Sequence, residues 1–187
     1  LGDVLMKSLE ISPKQFSWVL SSYAFSAAAS GILTAGFADK FDRKKFLLFF
    51  YLGFVIGTLL CGLSNSYETL LAARIITGLF GGVIAAIAMA IITDIFELNQ
   101  RGRVMGFVQM AFAGSQILGI PAALFIATKW NWHISFYMIV GLAIIIGLAI
   151  LIKMKPINEH LKLQSEKNAF QHLWSTISNR SYQVGFL

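Results

Sequence analysis

Charge is what this sequence has least of. Asp, Glu, Lys and Arg make up only 13% of its 187 residues, about half the roughly 25% of ordinary soluble domains. Hydrophobic residues make up 57%, and the mean hydropathy is +0.71. A water-soluble domain of this length could not cover its surface with so few charges, and disorder requires the opposite bias. Cysteine is almost missing too. Cys61 stands alone, which excludes an internal disulfide framework, and inside an apolar run it reads as an inert packed thiol. The chain holds no G-x-x-x-x-G-K-[ST], H-E-x-x-H, G-x-S-x-G or paired-Cys motif, the signatures of ATP, metal and acyl-transfer chemistry. No cofactor and no metal is expected. His133, His160 and His172 lie outside any ligand-like cluster and read as interfacial. Strict period-2 alternation is absent, which excludes an outer-membrane barrel. The chain opens on Leu1 with no signal-peptide pattern, as expected of a piece of a longer protein.

What is present is a series of five apolar runs, at 16–38, 46–63, 70–93, 104–127 and 134–152. Each is close to the ~20 residues an α-helix needs to cross a hydrocarbon core of ~30 Å. Glycines inside them do not argue against helix, because a spanning backbone must satisfy its own hydrogen bonds. The expected fold is an all-α membrane protein, a helical bundle of at least five transmembrane helices.

The loops orient it. The segment Asp39-Lys40-Phe41-Asp42-Arg43-Lys44-Lys45, the loop with Arg101 and Arg103, and the tail with Lys153, Lys155, Lys162, Lys167 and Arg180 hold eleven of the fifteen basic residues. Lys7, Lys14 and Lys129 fall on the other side, and Arg74 lies inside a run. By the positive-inside rule the eleven-residue side is cytoplasmic. A net charge of +6 split among short segments, with no aromatic interleaving, is a topology signal and not a nucleic-acid surface. Trp18, Trp130 and Trp132 are then expected at the outer interface, and at least one further span is expected upstream.

The runs differ in character. The second and fifth are bulky and nearly free of polar atoms, and are expected to face lipid. The first carries Ser22, Ser26 and Ser30 at four-residue spacing, the third Gly78, Gly82, Ala86 and Ala90, the fourth Ser115, Gly119, Ala123 and Ala127. Such rows let helix backbones approach closely, either as fixed packing or as sliding contacts. Residues 153–181 form a polar linker in which Phe170, Leu173, Trp174 and Ile177 fall at helical spacing, as in an amphipathic helix lying on the inner leaflet. Residues 182–187 are apolar again and open a next span.

These residues carry a family resemblance. The stretch from Ala35 and Gly36 through Asp39 and Arg43 to Lys45 resembles the G-x-L-a-D-r-x-G-r-k loop of the major facilitator superfamily. Arg74-Ile75-Ile76-Thr77-Gly78 resembles its R-x-x-x-G motif, and Gly114 to Pro121, with Gly119-Ile120-Pro121, its fifth-span antiporter motif. Trp132-His133-Ile134-Ser135-Phe136 is similar to the W-R-x-x-F of the arabinose-efflux-like and drug-efflux exporters. Ala35 stands at the motif's first Gly, Asp42 at its central Gly and His133 at its Arg. The resemblance implies helices 2–6 of the N-terminal half of a 6+6 secondary transporter in a bacterial inner membrane. Its partners would be a small-molecule substrate, a coupling proton, membrane lipid, the absent first span and a C-terminal six-helix half. It also implies alternating access, with Asp39, Arg43 and Asp94 as a conformational gate. The other reading of those three charges is a solvated interface.

Arg74 either snorkels or belongs to a substrate or proton path, since charge inside a membrane is costly and functional by default. Gln109 and Gln116, seven residues apart, share one face of the fourth run and either bond to neighbouring helices or line a wet cavity. Tyr23, Ser26 and Thr77 are candidates of the same kind. A channel, a membrane-embedded enzyme and a structural membrane protein are the other classes; clustered acids or a pore-lining polar ring, which they require, are not visible.

Overall fold

The computed structural model describes residues 2–34 and 38–157. Six helices follow one another: α1 (Gly2–Ser8), α2 (Pro13–Thr34), α3 (Arg43–Leu63), α4 (Tyr67–Ile95), α5 (Leu98–Lys129) and α6 (Trp132–Lys153). A single 3-10 turn, Ala38–Lys40, precedes α3. There is no strand among the described residues. α2 to α6 are each long and apolar enough to cross a membrane. The expected linker helix and next span fall at 158–187, outside the described residues.

Caps explain where the helices begin. Pro13 opens α2, where its missing N–H costs nothing. Ser12 and Gln15 form a reciprocal box, with Ser12 N–H donating to Gln15 Oε1 at 2.9 Å and Gln15 N–H to Ser12 Oγ at 3.3 Å. Ser66 and Thr69 do the same for α4, Asp42 accepts from Lys45 N–H at the start of α3, and Asn131 accepts from His133 N–H in α6. Such caps are worth about 1 kcal/mol each. They lie outside the apolar windows, so the helices run past them. α4 has 29 residues and α5 has 32, or roughly 43 and 48 Å of length. Arg101 and Arg103, expected in a loop, are in fact in the first turns of α5. At the other limit, Ala38 was expected to end the first span but belongs to the 3-10 turn, while α2 ends at Thr34.

α4 is the hub. It packs most extensively on α2 and next on α3, while α6 closes against α3 and α5 leans mainly on α6. The α2–α4 contact is nearly backbone on backbone. A Cβ placed on Gly78 would collide with Ser26 and the Tyr23 carbonyl, and one on Gly82 with the Ala27 carbonyl. The small-residue rows of the first and third runs therefore meet. The row of the fourth run does not behave alike. Around Gly114 and Gly119 nothing lies within 4 Å of a built Cβ, and Ala127 is the one buried residue of α5. Only the far end of that row is held, with Ser135 Oγ of α6 donating to the Ala123 carbonyl at 3.1 Å.

Two further expectations are corrected. The bulky second run does not simply face lipid: α3 lies between α4 and α6 and buries Gly57, Thr58, Cys61 and Gly62. Trp132 is not an interfacial ring but a core residue at 1% exposure, packed with Leu5, Val19, Cys61, Leu70, Ala73 and Ala127. Its indole N–H donates to Ser8 Oγ at 2.9 Å, so an otherwise costly buried donor is satisfied. Trp18 and Trp130 remain exposed. The unexpected α1 is held by this core, where burying Leu5 is worth about 1.5–3 kcal/mol. His133 stacks on Trp132 and its Nδ1 lies 2.8 Å from the Gly62 carbonyl, joining α6 to the end of α3. His160 and His172 lie outside the described residues.

Candidate functional site

Two polar sites stand out against this apolar frame. The first is at the basic end, where α2 ends, α3 begins and α4 ends. Arg43 is the first residue of α3 and Asp94 lies in the last turn of α4. Each charge has the sign that its own helix terminus disfavours, since helix N-termini prefer anions and C-termini cations. Pairing across the two helices offsets both penalties. Arg43 Nε lies 2.8 Å from Asp94 Oδ2, with the arginine side chain 4% exposed and the carboxylate 22%. A local rule broken twice and repaired only by tertiary contact is what functional sites tend to show. Asp39 falls in the adjoining 3-10 turn; its side chain lies outside the described residues.

Three neighbours hold this end together. Arg43 N–H donates to the Ile157 carbonyl at 3.1 Å. Phe41 stacks on Phe46, which packs edge-on against Phe50. Arg101 was read only for its charge, yet it is a clasp. Its Nη2 donates to the Thr93 carbonyl at 2.7 Å and its Nε to the Phe96 carbonyl at 3.0 Å, satisfying the free carbonyls that end α4. A basic residue one or two turns beyond a helix end was the available signal.

The second site centres on Arg74, the eighth residue of α4. Its guanidinium carbon sits 4.8 Å from the Tyr23 ring centroid, and its Nε reaches the Val19 carbonyl at 3.5 Å. No carboxylate among the described residues pairs with it. The partners are thus a π face and a backbone carbonyl, both supplied by α2. Two cavities, of about 210 and 120 Å³, share Arg74, Phe136 and Ile139 in their walls. The larger is apolar apart from Arg74 and Ser135 and reaches across to Ala123 of α5. The smaller adds Tyr23, Thr58, Cys61 and Thr77. One fixed cation in an otherwise greasy chamber can hold an anionic group of an amphipathic molecule.

The remaining candidates divide. Tyr23 belongs with Arg74. The Thr77 hydroxyl donates to the Ala73 carbonyl at 2.7 Å, and the Ser26 hydroxyl to the Ser22 carbonyl at 2.7 Å, so both are satisfied within their own helices and serve the seams against α3 and α4. Gly78 and Gly82 make the α2–α4 seam. Gln109 and Gln116 are exposed on α5, not enclosed by the described helices, because α5 meets its neighbours at its two ends and little along its middle. Pro121, inside α5, removes the N–H that would serve the Ile117 carbonyl.

Five long apolar helices, with a charge pair at one end and an arginine between two largely apolar cavities, define a multi-pass membrane protein. Comparison with known proteins agrees. Residues 1–187 match the sequence profile of the Major Facilitator Superfamily, and the chain belongs to that family. It is similar to multidrug resistance protein 3 of Bacillus subtilis, 32% identical over 148 residues, which is 79% of this chain and 29% of that protein. It is 38% identical to the vacuolar membrane amino acid uptake transporter fnx2 of Schizosaccharomyces pombe over 128 residues, 68% of this chain and 22% of that protein. A bicyclomycin resistance protein homolog of Haemophilus influenzae is 29% identical over 138 residues, 72% and 34% of the two chains. The matched region thus spans about a third or less of the length of these relatives.

Proposed function

We propose that this chain is the N-terminal membrane half of a secondary active transporter that exports a small amphipathic molecule by alternating access. The observation that carries the reading is the Arg43–Asp94 pair, 2.8 Å apart with the arginine side buried, at the end that holds most of the basic residues. In this reading that end is cytoplasmic, and Asp39, Arg43 and Asp94 latch it in one access state. Breaking the latch accompanies opening, so its strength sets the balance between states. Two bundles rocking about a midplane site complete the cycle. The relatives named for drug resistance favour export over uptake. Arg74 and the chamber it shares with Tyr23 are the binding element for the substrate's anionic group, with Gln109 and Gln116 on the wall that meets the second half. Protons are the coupling ion of this reading, in a bacterial inner membrane.

The test is transport by the full-length protein in proteoliposomes under an imposed proton gradient, comparing wild type with Arg43→Ala and Asp94→Asn. The reading expects saturable, gradient-dependent accumulation that both variants reduce at least tenfold at equal incorporation. Flux that does not saturate points to a channel, and unaltered flux in both variants removes the latch.

A further inference from the structure

The outer seam between α3 and α6 holds a groove that the transport reading does not use. It measures about 290 Å³ and is lined by Leu48, Tyr51, Leu52, Val55, Ala143, Ile144, Gly147, Leu148 and Leu151, with no charged side chain in its wall. Gly147 keeps the floor open, since a Cβ there would lie 3.0 Å from the Tyr51 ring. The Tyr51 hydroxyl, the wall's main polar group, is spent on the Ala143 carbonyl at 2.9 Å. By helix rise the groove runs roughly 10–12 Å along the membrane normal. It is apolar and runs parallel to an acyl chain.

Its basic end is what makes it more than lipid-facing surface. Lys44 continues the α3 stripe one turn below Leu48, and its ammonium is held over the groove mouth by the Leu151 carbonyl at 2.8 Å. The first turn of α3 carries no acidic residue beyond the N-cap Asp42, and the positive end of its dipole lies there. The chain after α6 turns back across the same mouth, where the Ile157 carbonyl accepts from Arg43 N–H; this brings exposed Lys155 to that end. Of the acids described at this end, Asp42 accepts from Lys45 N–H at 3.0 Å and Asp94 is paired with Arg43. Apolar length ending in clustered cations matches one class of molecule.

The geometry points to a retained anionic phospholipid, one acyl chain lying in the α3–α6 groove and its phosphate on Lys44 and Lys155. The inference rests on the membrane reading but not on the transport cycle. Basic pockets where helices meet the cytoplasmic leaflet are known to select such headgroups, at about fivefold in affinity per lysine. The proposed site stands apart from the Arg74 chamber, since the two share no lining residue.

The experiment is native mass spectrometry of the full-length protein, exchanged from detergent into mixed phosphatidylglycerol and phosphatidylcholine of identical acyl chains. Wild type should retain phosphatidylglycerol preferentially, and Lys44→Gln with Lys155→Gln should erase the preference. Lys44→Arg should keep it, which separates lost charge from lost folding. Ile144→Trp, which fills the groove, should lower retention of both lipids. Glycerol phosphate without acyl chains should not compete. Equal retention of the two lipids by wild type overturns the proposal, as does a preference unchanged in the double Gln variant. Cross-linking of position 144 to protein in native membranes overturns it too, because the groove is then covered by polypeptide. Transport by the double variant is read in parallel: lost preference with normal flux supports the lipid site and leaves the transport reading standing.

Discussion

Arg43 and Asp94 show how little a single position means without its partner. Each opposes its own helix dipole, and each is tolerated because the other is 2.8 Å away. Removing one side leaves the other facing its own unfavourable helix dipole. Arg43→Asp and Asp94→Arg should each cut transport at least tenfold, and the double exchange should recover a substantial part of it. Failure of the exchange to recover anything would show that the pair is not acting as a pair. Asp39→Asn should likewise lower transport while insertion and expression persist. Arg74 calls for a different series. Its contacts are the Tyr23 ring and a carbonyl, so Arg74→Lys keeps the charge but loses the planar stacking and the bidentate fork. Substrate affinity should fall with Arg74→Lys and with Tyr23→Leu, but much less with Tyr23→Phe, which retains the π face. Equal affinity in all three variants would make Arg74 a snorkelling residue.

At the scale of elements, the seams are not equivalent. The α2–α4 seam is set by backbone approach at Gly78 and Gly82, where an added Cβ meets carbonyl groups that cannot swing aside. Without a hydrophobic drive between helices in lipid, such close packing is the main source of association. Gly82→Ala should therefore destabilise the protein by about 1–3 kcal/mol, read as a lower midpoint in a thermal size-exclusion assay. Gly106→Ala, with nothing within 4 Å, should leave that midpoint unchanged or raise it. A loss at Gly106 equal to that at Gly82 would mean the assay reports glycine content and not the seam. The α3–α6 seam is held by polar contacts instead, Tyr51 to the Ala143 carbonyl and His133 to the Gly62 carbonyl.

For the whole molecule, the basic end at Lys44, Arg101 and Lys153 should lie in the cytoplasm, while residues 64–69 and 128–132 face out. Cys61 is fully buried and is replaced before single cysteines are introduced. Cysteine at position 44 should resist an impermeant maleimide applied to intact cells and react in inverted vesicles, with position 130 doing the reverse. Labelling of position 44 from outside would invert the topology and with it the latch. The exposed middle of α5, between the Arg101 clasp at one end and Ala127 with Ser135 at the other, fits a helix whose free face belongs to the proposed second half.

The five spans were legible in the sequence because hydrocarbon imposes a local rule: about twenty apolar residues, charges outside, caps at the ends. No partner is needed for that rule, so the runs at 46–63 and 134–152 lie wholly inside α3 and α6. Small residues at four-residue spacing also announced close packing, but not its place. The rows on α2 and α4 interlock, while the row on α5 is held only at its Ala123 and Ala127 end, because a small residue permits approach without choosing what approaches. Trp132 reads as an interfacial ring and is the largest fully buried side chain among the described residues, since its indole donor finds Ser8, which lies 124 positions earlier. Arg74 could be flagged by cost, but its Tyr23 partner depends on how α2 crosses α4. The membrane-crossing elements and the sign of their ends follow from local composition. Which faces meet, and which charges they shelter, follows from how the helices cross, because contacts between distant helices leave no periodic trace in either one.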